Sequence, residues 1–186
     1  MNEGGTSSYA EHATERKVAG LTIQVVNGIG FGPTKLAAFD AALREAGIAN
    51  HNIIHLSSII PPMSTIVSTT GKATPVGAWG DRLYTVMADL RVDTRYEEAV
   101  AGIGWVQEPE TKRGLFVEHV GHTEREVRRD IIATLEALCA GRPETSFGTP
   151  DLVVRNTVCA GEPTCALVAA VFEAEPWQGD REITLP

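Results

Sequence analysis

The chain has 186 residues, enough for one well-buried core but short for two, so we expect a single domain. Hydrophobic residues make up 43% and charged residues 22%, as in soluble globular proteins, and no apolar run is long enough to cross a bilayer. The formal net charge of -8 disfavours nucleic acid and anionic membranes as partners, and three irregularly spaced cysteines do not form a disulfide framework, so we expect reduced, mostly buried thiols.

The N-terminal region is predicted to hold a tail, a strand and a helix. Residues 1–18 are rich in Glu, Gly, Ser and Thr without apolar periodicity, so we expect a flexible tail. They also lack the charged-then-apolar order of a signal peptide, which favours the cytoplasm. The ordered domain, residues 19–186, is predicted to begin with the strand LTIQVVNGIG, and Thr34 and Gly47 are predicted to cap and end the helix that follows. The predicted apolar stripe of that helix is Leu36, Phe39 and Leu43.

Strands dominate the middle of the chain. The run NIIHLSSII predicts one strand, which Pro61 and Pro62 close because proline cannot donate to a ladder. Residues 64–82 are rich in Thr, Gly and Pro and predict a loop that returns as the strand RLYTVMADL. EEAVAGIGWVQ and LFVEHV predict two more strands.

A long helix and two strands complete the chain. In HTEREVRRDIIATLEALCAG, Thr123 and Glu126 form a predicted capping box, and Gly141 is predicted to end the helix. Its predicted apolar face consists of Val127, Ile131, Leu135 and Leu138. LVVRNTVC and CALVAAVFEAE predict the last two strands. This order of elements predicts an α+β fold in which helices cover a mostly antiparallel sheet.

Two patterns that resemble ligand sites lack the spacing such sites require. The glycines of NGIGFG, Gly28, Gly30 and Gly32, lack the third glycine of a dinucleotide fingerprint and the lysine of a phosphate loop. We expect a tight strand-to-helix connection or the close approach of a neighbouring chain there. The histidines form two pairs: His51 with His55, and His119 with His122. Neither pair matches a metal-binding spacing, so we expect no metal site.

Two carboxylates lie at positions where the apolar pattern predicts burial. Asp40 falls on or beside the stripe of the first helix, so it either meets a buried partner or forms a surface i,i+4 pair with Arg44. Glu118 shares a strand face with Phe116 and Val120. If that face is buried, Glu118 is a candidate proton donor; if the strand lies at an edge, Glu118 is in water. Spacing leaves both pairs of alternatives open.

Ser57 and Ser58 stand inside the predicted strand NIIHLSSII, where alternation forces at least one hydroxyl into an apolar layer. The pair satisfies backbone groups in a bulge, provides a hydrolytic nucleophile, or marks a site where the chain cuts itself. The G-x-S-x-G elbow of a hydrolase is missing, which disfavours the second possibility. In self-cleavage, a serine Oγ attacks the preceding carbonyl, and the ester then eliminates and hydrolyses to a pyruvoyl group. A strained peptide beside Ile-Ile-Pro-Pro suits such an attack.

The string AAFDAALREAGIANHNIIHLSSIIPP closely resembles the pyruvoyl-dependent arginine decarboxylases. The resemblance rests on A-F-D-x-A-L followed by A-G-I, on N-x-N before a strand, and on S-S-I-x-P-P. It continues through GLFVEHVGHTEREV and CALVAAVF and covers residues 20–175.

The resemblance implies a self-processing enzyme. The chain would be cut between Ser57 and Ser58 into the fragments 1–57 and 58–186, and a pyruvoyl group made from Ser58 would replace any soluble cofactor. This ketone would form a Schiff base with L-arginine and act as the electron sink while CO2 leaves, which makes agmatine the product. Glu118 would return a proton to the α-carbon, and Asp40 would bind the guanidinium. Asn52 would hold the scissile region during processing, and the new carboxylate of Ser57 would stay close by.

The resemblance also implies a four-layer αββα sandwich that assembles as a homotrimer or a dimer of trimers, with active sites at subunit interfaces. The polar tail and the segment PMSTIVSTTGKATPVGAWGDR depart from the family pattern, which bears on substrate specificity. Two other interpretations stay open: a pyruvoyl-dependent decarboxylase of another amino acid, and an uncleaved homologue that serves as a structural or regulatory partner. The intact serines, with Asp40, Asn52 and Glu118, count against the uncleaved homologue.

Overall fold

The computed structural model describes residues 20–69 and 77–177, so the predicted tail, residues 1–18, lies outside the described residues. Within the described ranges the chain forms two helices and nine strands. In chain order they are β1 (Thr22–Phe31), α1 (Lys35–Ala46), β2 (Asn52–His55), β3 (Ile59–Ile60), β4 (Thr65–Ser68), β5 (Arg82–Val92), β6 (Glu98–Gln107), β7 (Gly114–Gly121), α2 (Glu124–Ala140), β8 (Asp151–Val158) and β9 (Thr164–Glu175). Neither described helix is long and apolar enough to span a membrane. The cytoplasmic location stays a prediction.

The strands form two sheets. Sheet A has the order β2-β5-β9-β1-β4, and sheet B has the order β3-β7-β6-β8. Every pair in sheet B is antiparallel, as are the two central pairs of sheet A. The short strands β2 and β4 add in parallel at the two edges of sheet A. The predicted α+β class and the mostly antiparallel pairing are therefore confirmed.

Three clusters of buried apolar side chains hold the described residues together as a single domain. Between the two sheets lie, among others, Ile23, Ile60, Val86, Ile103 and Phe116. Between α1 and sheet A lie Ala38, Ala42, Ile48, Leu83 and Leu167. Between α2 and sheet B lie Val106, Leu115, Val127, Ile131 and Leu135. Because β9 is in the middle of sheet A, it is buried on both faces over its first eight residues, which explains its unbroken apolar run.

The helices have the caps predicted from the sequence. The Thr34 hydroxyl accepts the Ala37 N–H at 3.1 Å before α1, and Gly47 ends α1 in the left-handed region with φ of 78°. The Thr123 hydroxyl accepts the Glu126 N–H at 3.2 Å before α2. The local signals were sufficient here because a cap satisfies backbone groups only a few residues away.

The face of α1 that packs on sheet A differs from the predicted stripe. Leu36 is 69% exposed, and the buried side chains are mostly small: Ala38, Ala42, Leu43 and Ala46. A Cβ added at Gly28 of β1 would lie 2.2 Å from the Ala42 carbonyl oxygen, and one at Gly30 would lie 1.9 Å from that of Ala38. The glycines thus permit a close helix-to-strand contact within the chain, and alanines rather than leucines fit against them.

The segment between β2 and β4 differs most from the prediction. NIIHLSSII forms two strands instead of one: β2 pairs with β5 in sheet A, whereas β3 pairs with Leu115 and Gly114 of β7 in sheet B. The predicted loop after it contains β4, which pairs with β1. Alternation indicates which face of a strand is buried but not which strand is its partner, so a change of sheet left no signal in the pattern.

Candidate active site

Ser57 and Ser58 lie where the chain crosses from sheet A to sheet B. Before them, the Leu56 N–H donates to the Thr85 carbonyl of β5 at 2.9 Å. After them, the Ser58 carbonyl accepts the Phe116 N–H of β7 at 2.8 Å. The Ser57–Ser58 peptide bond is therefore held between anchors on two different sheets, and Ser57 is exposed to solvent.

Ser58 has a left-handed backbone conformation, with φ of 66°. This conformation costs a residue other than glycine about 1–2 kcal/mol, because its Cβ crowds the neighbouring carbonyl oxygen. Such strain persists only where the surrounding contacts impose it, as the anchors on the two sheets do here. The strained residue is the second serine of the predicted cleavage site.

The Ser58 hydroxyl donates to the carboxylate of Glu118. Its Oγ lies 3.0 Å from Oε1 and 2.9 Å from Oε2, within the range of a hydrogen bond to a charged acceptor. Glu118 is on β7, three residues after Leu115, where the pairing of β7 with β3 ends, and its side chain is exposed. On the same face Phe116 is 1% exposed and Val120 is 45% exposed. β7 lies between β3 and β6 and is not an edge strand, but its pairing with β3 ends at Leu115, and Glu118 is exposed beyond that point. The buried alternative therefore does not hold, and the exposed carboxylate is a candidate base against the Ser58 hydroxyl.

A cavity of about 200 Å³ adjoins Glu118. It is lined by Met87, Ala88, Asp89, Glu118, His119 and Val120. Asp89, which sequence reasoning missed, is a second carboxylate in this wall; its side chain is 20% exposed and accepts the Nε–H of Arg91 at 2.7 Å. The pattern MADLR indicates that Asp89 and Arg91 share a strand face, since residues two apart do so, but it does not indicate that Asp89 lies near Glu118.

Asp40 is not part of this cluster. It lies on α1 with its side chain 58% exposed, and its Oδ2 is 3.2 Å from the Nε of Arg44. An exposed i,i+4 pair of this kind contributes only about 0.3–0.5 kcal/mol. Among the described residues, Asp40 shares no hydrogen bond or ion pair with Ser58 or Glu118. Within a single chain, the surface pair is the alternative that holds.

Asn52 also lies apart from the two serines. It begins β2, at the opposite end of that strand from the serines, and its side-chain amide donates to the Gly80 carbonyl. Its backbone N–H donates to the Asp81 carbonyl at 2.8 Å. The Trp177 indole donates to the same Gly80 carbonyl at 2.9 Å. Within one chain, Asn52 therefore anchors the loop that precedes β5.

Comparison with known proteins identifies the family. The profile of the pyruvoyl-dependent arginine decarboxylases matches residues 22–176. The chain belongs to this family. A relative from Halobacterium salinarum, named pyruvoyl-dependent arginine decarboxylase, is 34% identical over 81% of this chain and 92% of its own length. Another of that name, from Methanococcoides burtonii, is 36% identical over 67% of this chain and 68% of its own.

A third relative of the pyruvoyl-dependent arginine decarboxylase family, from Archaeoglobus fulgidus, carries that name with the number 2 and is 30% identical over 79% of this chain and 92% of its own length. The resemblance inferred from the motifs is thus confirmed. The matched region contains every candidate residue: Asp40, Asn52, Ser57, Ser58 and Glu118. Within one chain of this family member, only the serines and Glu118 lie together.

Three histidines, His51, His119 and His122, have hydrogen-bond partners within the chain. The Nδ1 atoms of His51 and His122 donate to backbone carbonyls at 3.0 Å and 2.9 Å. His119 Nε2 lies 2.8 Å from the hydroxyl of Thr134 on α2. In residues 20–69 and 77–177, no group of three or more His, Cys, Asp or Glu side chains is arranged to hold a metal ion.

The three cysteines are free thiols, of which Cys159 and Cys165 are buried. Burial, with a smaller contribution from the Asp89 charge, raises the pKa of Cys165 to about 12. Burial also raises the pKa of Cys139. Because the thiolate is the reactive form, the raised pKa makes Cys139 and Cys165 poor nucleophiles near neutral pH.

Proposed function

We propose that the chain is a self-processing, pyruvoyl-dependent decarboxylase that converts L-arginine to agmatine and CO2. The observation that carries the proposal is the hydrogen bond from the Ser58 hydroxyl to Glu118, at 2.9 and 3.0 Å, beside a peptide bond held between two sheets. Membership of the family and the names of the relatives support arginine as the substrate.

Self-cleavage begins at the Ser58 hydroxyl. Glu118 takes the Oγ proton, Oγ bonds to the Ser57 carbonyl carbon, and the Ser57–Ser58 C–N bond breaks while the freed nitrogen takes up a proton. Loss of the Ser58 α-proton then expels the Ser57 carboxylate by elimination and leaves dehydroalanine. Tautomerisation and hydrolysis of that residue consume one water, release ammonia and leave the pyruvoyl group. The φ of 66° at Ser58 supports the first step, because breaking this peptide bond relieves the strain.

The residues around Ser58 fit a pyruvoyl group. The Ser58 carbonyl, which a pyruvoyl group would retain, accepts the Phe116 N–H at 2.8 Å, and Glu118 lies 2.9 Å from the hydroxyl that the group would lose. A pyruvoyl group at this position would supply a carbonyl for covalent attachment of the substrate α-amine and an electron sink for the carbon that loses CO2. Glu118 returns a proton to that carbon, which is general acid catalysis by a group already placed at the reacting residue.

A subunit interface would complete the site. We place Asp40 against the guanidinium of a substrate bound in a neighbouring subunit of a homotrimer or dimer of trimers. Its 58% exposed carboxylate supports this, since a bidentate bond to guanidinium would replace a weak surface pair. Asn52 is proposed to hold the scissile region of the precursor in the same assembly. The packing of α1, sheet A, sheet B and α2 supports a four-layer αββα sandwich in each subunit.

A second candidate keeps the pyruvoyl chemistry and changes the substrate to another cationic amino acid. In the single chain Asp40 pairs with Arg44, so Asp40 can select a guanidinium only after subunits assemble. Without that selection, another cationic amino acid could be the substrate, which favours this candidate. Asp89 and Glu118, which line one cavity, would suit any cationic side chain.

Product analysis tests the proposal. The purified chain, left until cleavage is complete, is supplied with carboxyl-labelled arginine, lysine or ornithine, and Ser58→Ala serves as the matched control. With the natural chain we expect arginine to give labelled CO2 together with unlabelled agmatine. The control should give neither product. Release from lysine or ornithine instead would support the second candidate. An uncut chain that releases CO2 from none of them would be an uncleaved structural homologue.

A further inference from the structure

We propose that Asp89 determines substrate specificity: its carboxylate binds the cationic end of the substrate in the cavity beside Glu118. The inference rests on the proposed function, because it takes the substrate to be a basic amino acid that reacts at Ser58. It adds a ligand from the same chain as Ser58, whereas Asp40 would come from a neighbouring subunit.

The cavity brings Asp89 and Glu118 into one wall. Both residues line the same space of about 200 Å³, so a ligand that fills it contacts both residues. Glu118 is also bonded to the Ser58 hydroxyl, at 2.9 Å, which joins the cavity to the reacting residue. No lysine or arginine is among its lining residues in the part of the chain that the structure describes. Arg91, which pairs with Asp89 from outside the lining, balances one of the two carboxylate charges. The remaining negative charge favours a cation over a neutral or anionic ligand.

Asp89 is held in place from the side of α1. The Nε–H of Arg91 donates to Asp89 Oδ1 at 2.7 Å, and the guanidinium carbon of Arg91 lies 3.6 Å from the centre of the Phe39 ring. Asp89 is thus oriented by a cation that is itself fixed on an aromatic face. Among the described residues, Arg91 contacts only Oδ1, so Oδ2 can accept a hydrogen bond from a ligand.

The burial of Asp89 makes a bond to a ligand cation stronger than one at the surface. Its side chain is 20% exposed, compared with 58% for Asp40 and 52% for Asp93. A charged pair that is partly withdrawn from water is less screened. Asp89 is therefore better placed than either surface aspartate to distinguish a charged from a neutral ligand.

The test compares two ligands that differ only in charge at the far end: agmatine and its neutral urea analogue, which carry the same primary amine. Their dissociation constants are measured by calorimetry on the cleaved full-length protein and on three variants. Asp89→Asn removes the charge and keeps the shape, and Asp89→Glu keeps the charge. Asp93→Asn is the matched control, since it removes an exposed carboxylate just after β5 that pairs with Lys35 at 3.0 Å.

Asp89→Asn is expected to weaken agmatine binding about ten- to hundred-fold, the range for a hydrogen bond to a charged group, and to change binding of the analogue less than about threefold. Asp93→Asn should change neither, and Asp89→Glu should keep the preference for agmatine. Equal weakening of both ligands, or no change in either, would overturn the proposal, as would loss of the preference in Asp89→Glu. If the natural chain binds agmatine selectively but releases no CO2 from arginine, the proposed function fails while this inference stands.

Discussion

Glu118→Gln tests the proposed base of the self-cleavage reaction. The amide has nearly the same shape as the carboxylate and can still accept the Ser58 hydroxyl hydrogen bond through its oxygen, but it cannot take the proton. In the structure that hydroxyl lies 3.0 and 2.9 Å from the two carboxylate oxygens, so the acceptor is in place before the reaction starts. The substitution therefore removes proton transfer while leaving the contact.

The size of the effect follows from that geometry. Positioned general acid–base catalysis contributes about 10²–10⁴-fold in rate, or about 2.7–5.4 kcal/mol in the activation free energy. Because Glu118 is exposed in the chain, its hydrogen bond adds little to folding, and the free energy of unfolding should change by less than about 1 kcal/mol. Slow cleavage with an unchanged melting temperature is the expected result.

The assay follows freshly synthesised precursor through time and measures the fraction that has been cut into the fragments 1–57 and 58–186. Glu124→Gln is the matched control, since Glu124 is a glutamate away from the serines whose side chain is 42% exposed and pairs with Arg128 at 2.7 Å on α2. The control should be cut at the natural rate. Cleavage of Glu118→Gln at that same rate would refute the assignment of Glu118 as the base.

Three further predictions follow from other parts of the molecule. Asp40→Ala should be cleaved normally but show a raised KM for arginine in steady-state assays; an unchanged KM would contradict the role at the guanidinium. Gly30→Ala should lower the free energy of unfolding by about 3 kcal/mol in urea titrations, because its Cβ would lie 1.9 Å from the Ala38 carbonyl oxygen. The control, Gly141→Ala, should be nearly neutral, because the nearest atom to its Cβ would lie at 3.5 Å. Burial raises the pKa of Cys165 to about 12, so its thiolate forms only as the pH approaches that value. Cys165 should therefore resist iodoacetamide at pH 8 in the native protein and react after unfolding. Rapid labelling of the native protein would contradict this.

Much of the fold could be predicted because its signals are local. The caps at Thr34 and Thr123 satisfy backbone groups three residues away, and the unbroken apolar run of β9 indicates a strand buried on both faces. The change of sheet at the two serines could not be predicted, since its anchors, Thr85 and Phe116, lie far along the chain. The exposure of Leu36 was also missed, because the glycines of β1 select small residues on the facing side of α1.

The candidate site was predicted mainly through the family resemblance. Residue patterns alone left Glu118 and Asp40 with two interpretations each, because burial depends on which elements cover a face. The structure resolves both within one chain: Glu118 is exposed on β7 against Ser58, 60 positions away in sequence, and Asp40 pairs with Arg44. Asp89 was overlooked because its neighbour in the cavity belongs to the other sheet, a contact that no strand pattern encodes.

The intact mass of the purified, denatured protein tests the central claim most directly. If Ser58 is the self-cleavage residue, the spectrum contains two species, the fragments 1–57 and 58–186, and the larger is blocked to N-terminal sequencing because it begins with a ketone. Ser58→Ala should give only the intact chain. A single species of 19.9 kDa from the natural sequence after prolonged incubation would contradict the account.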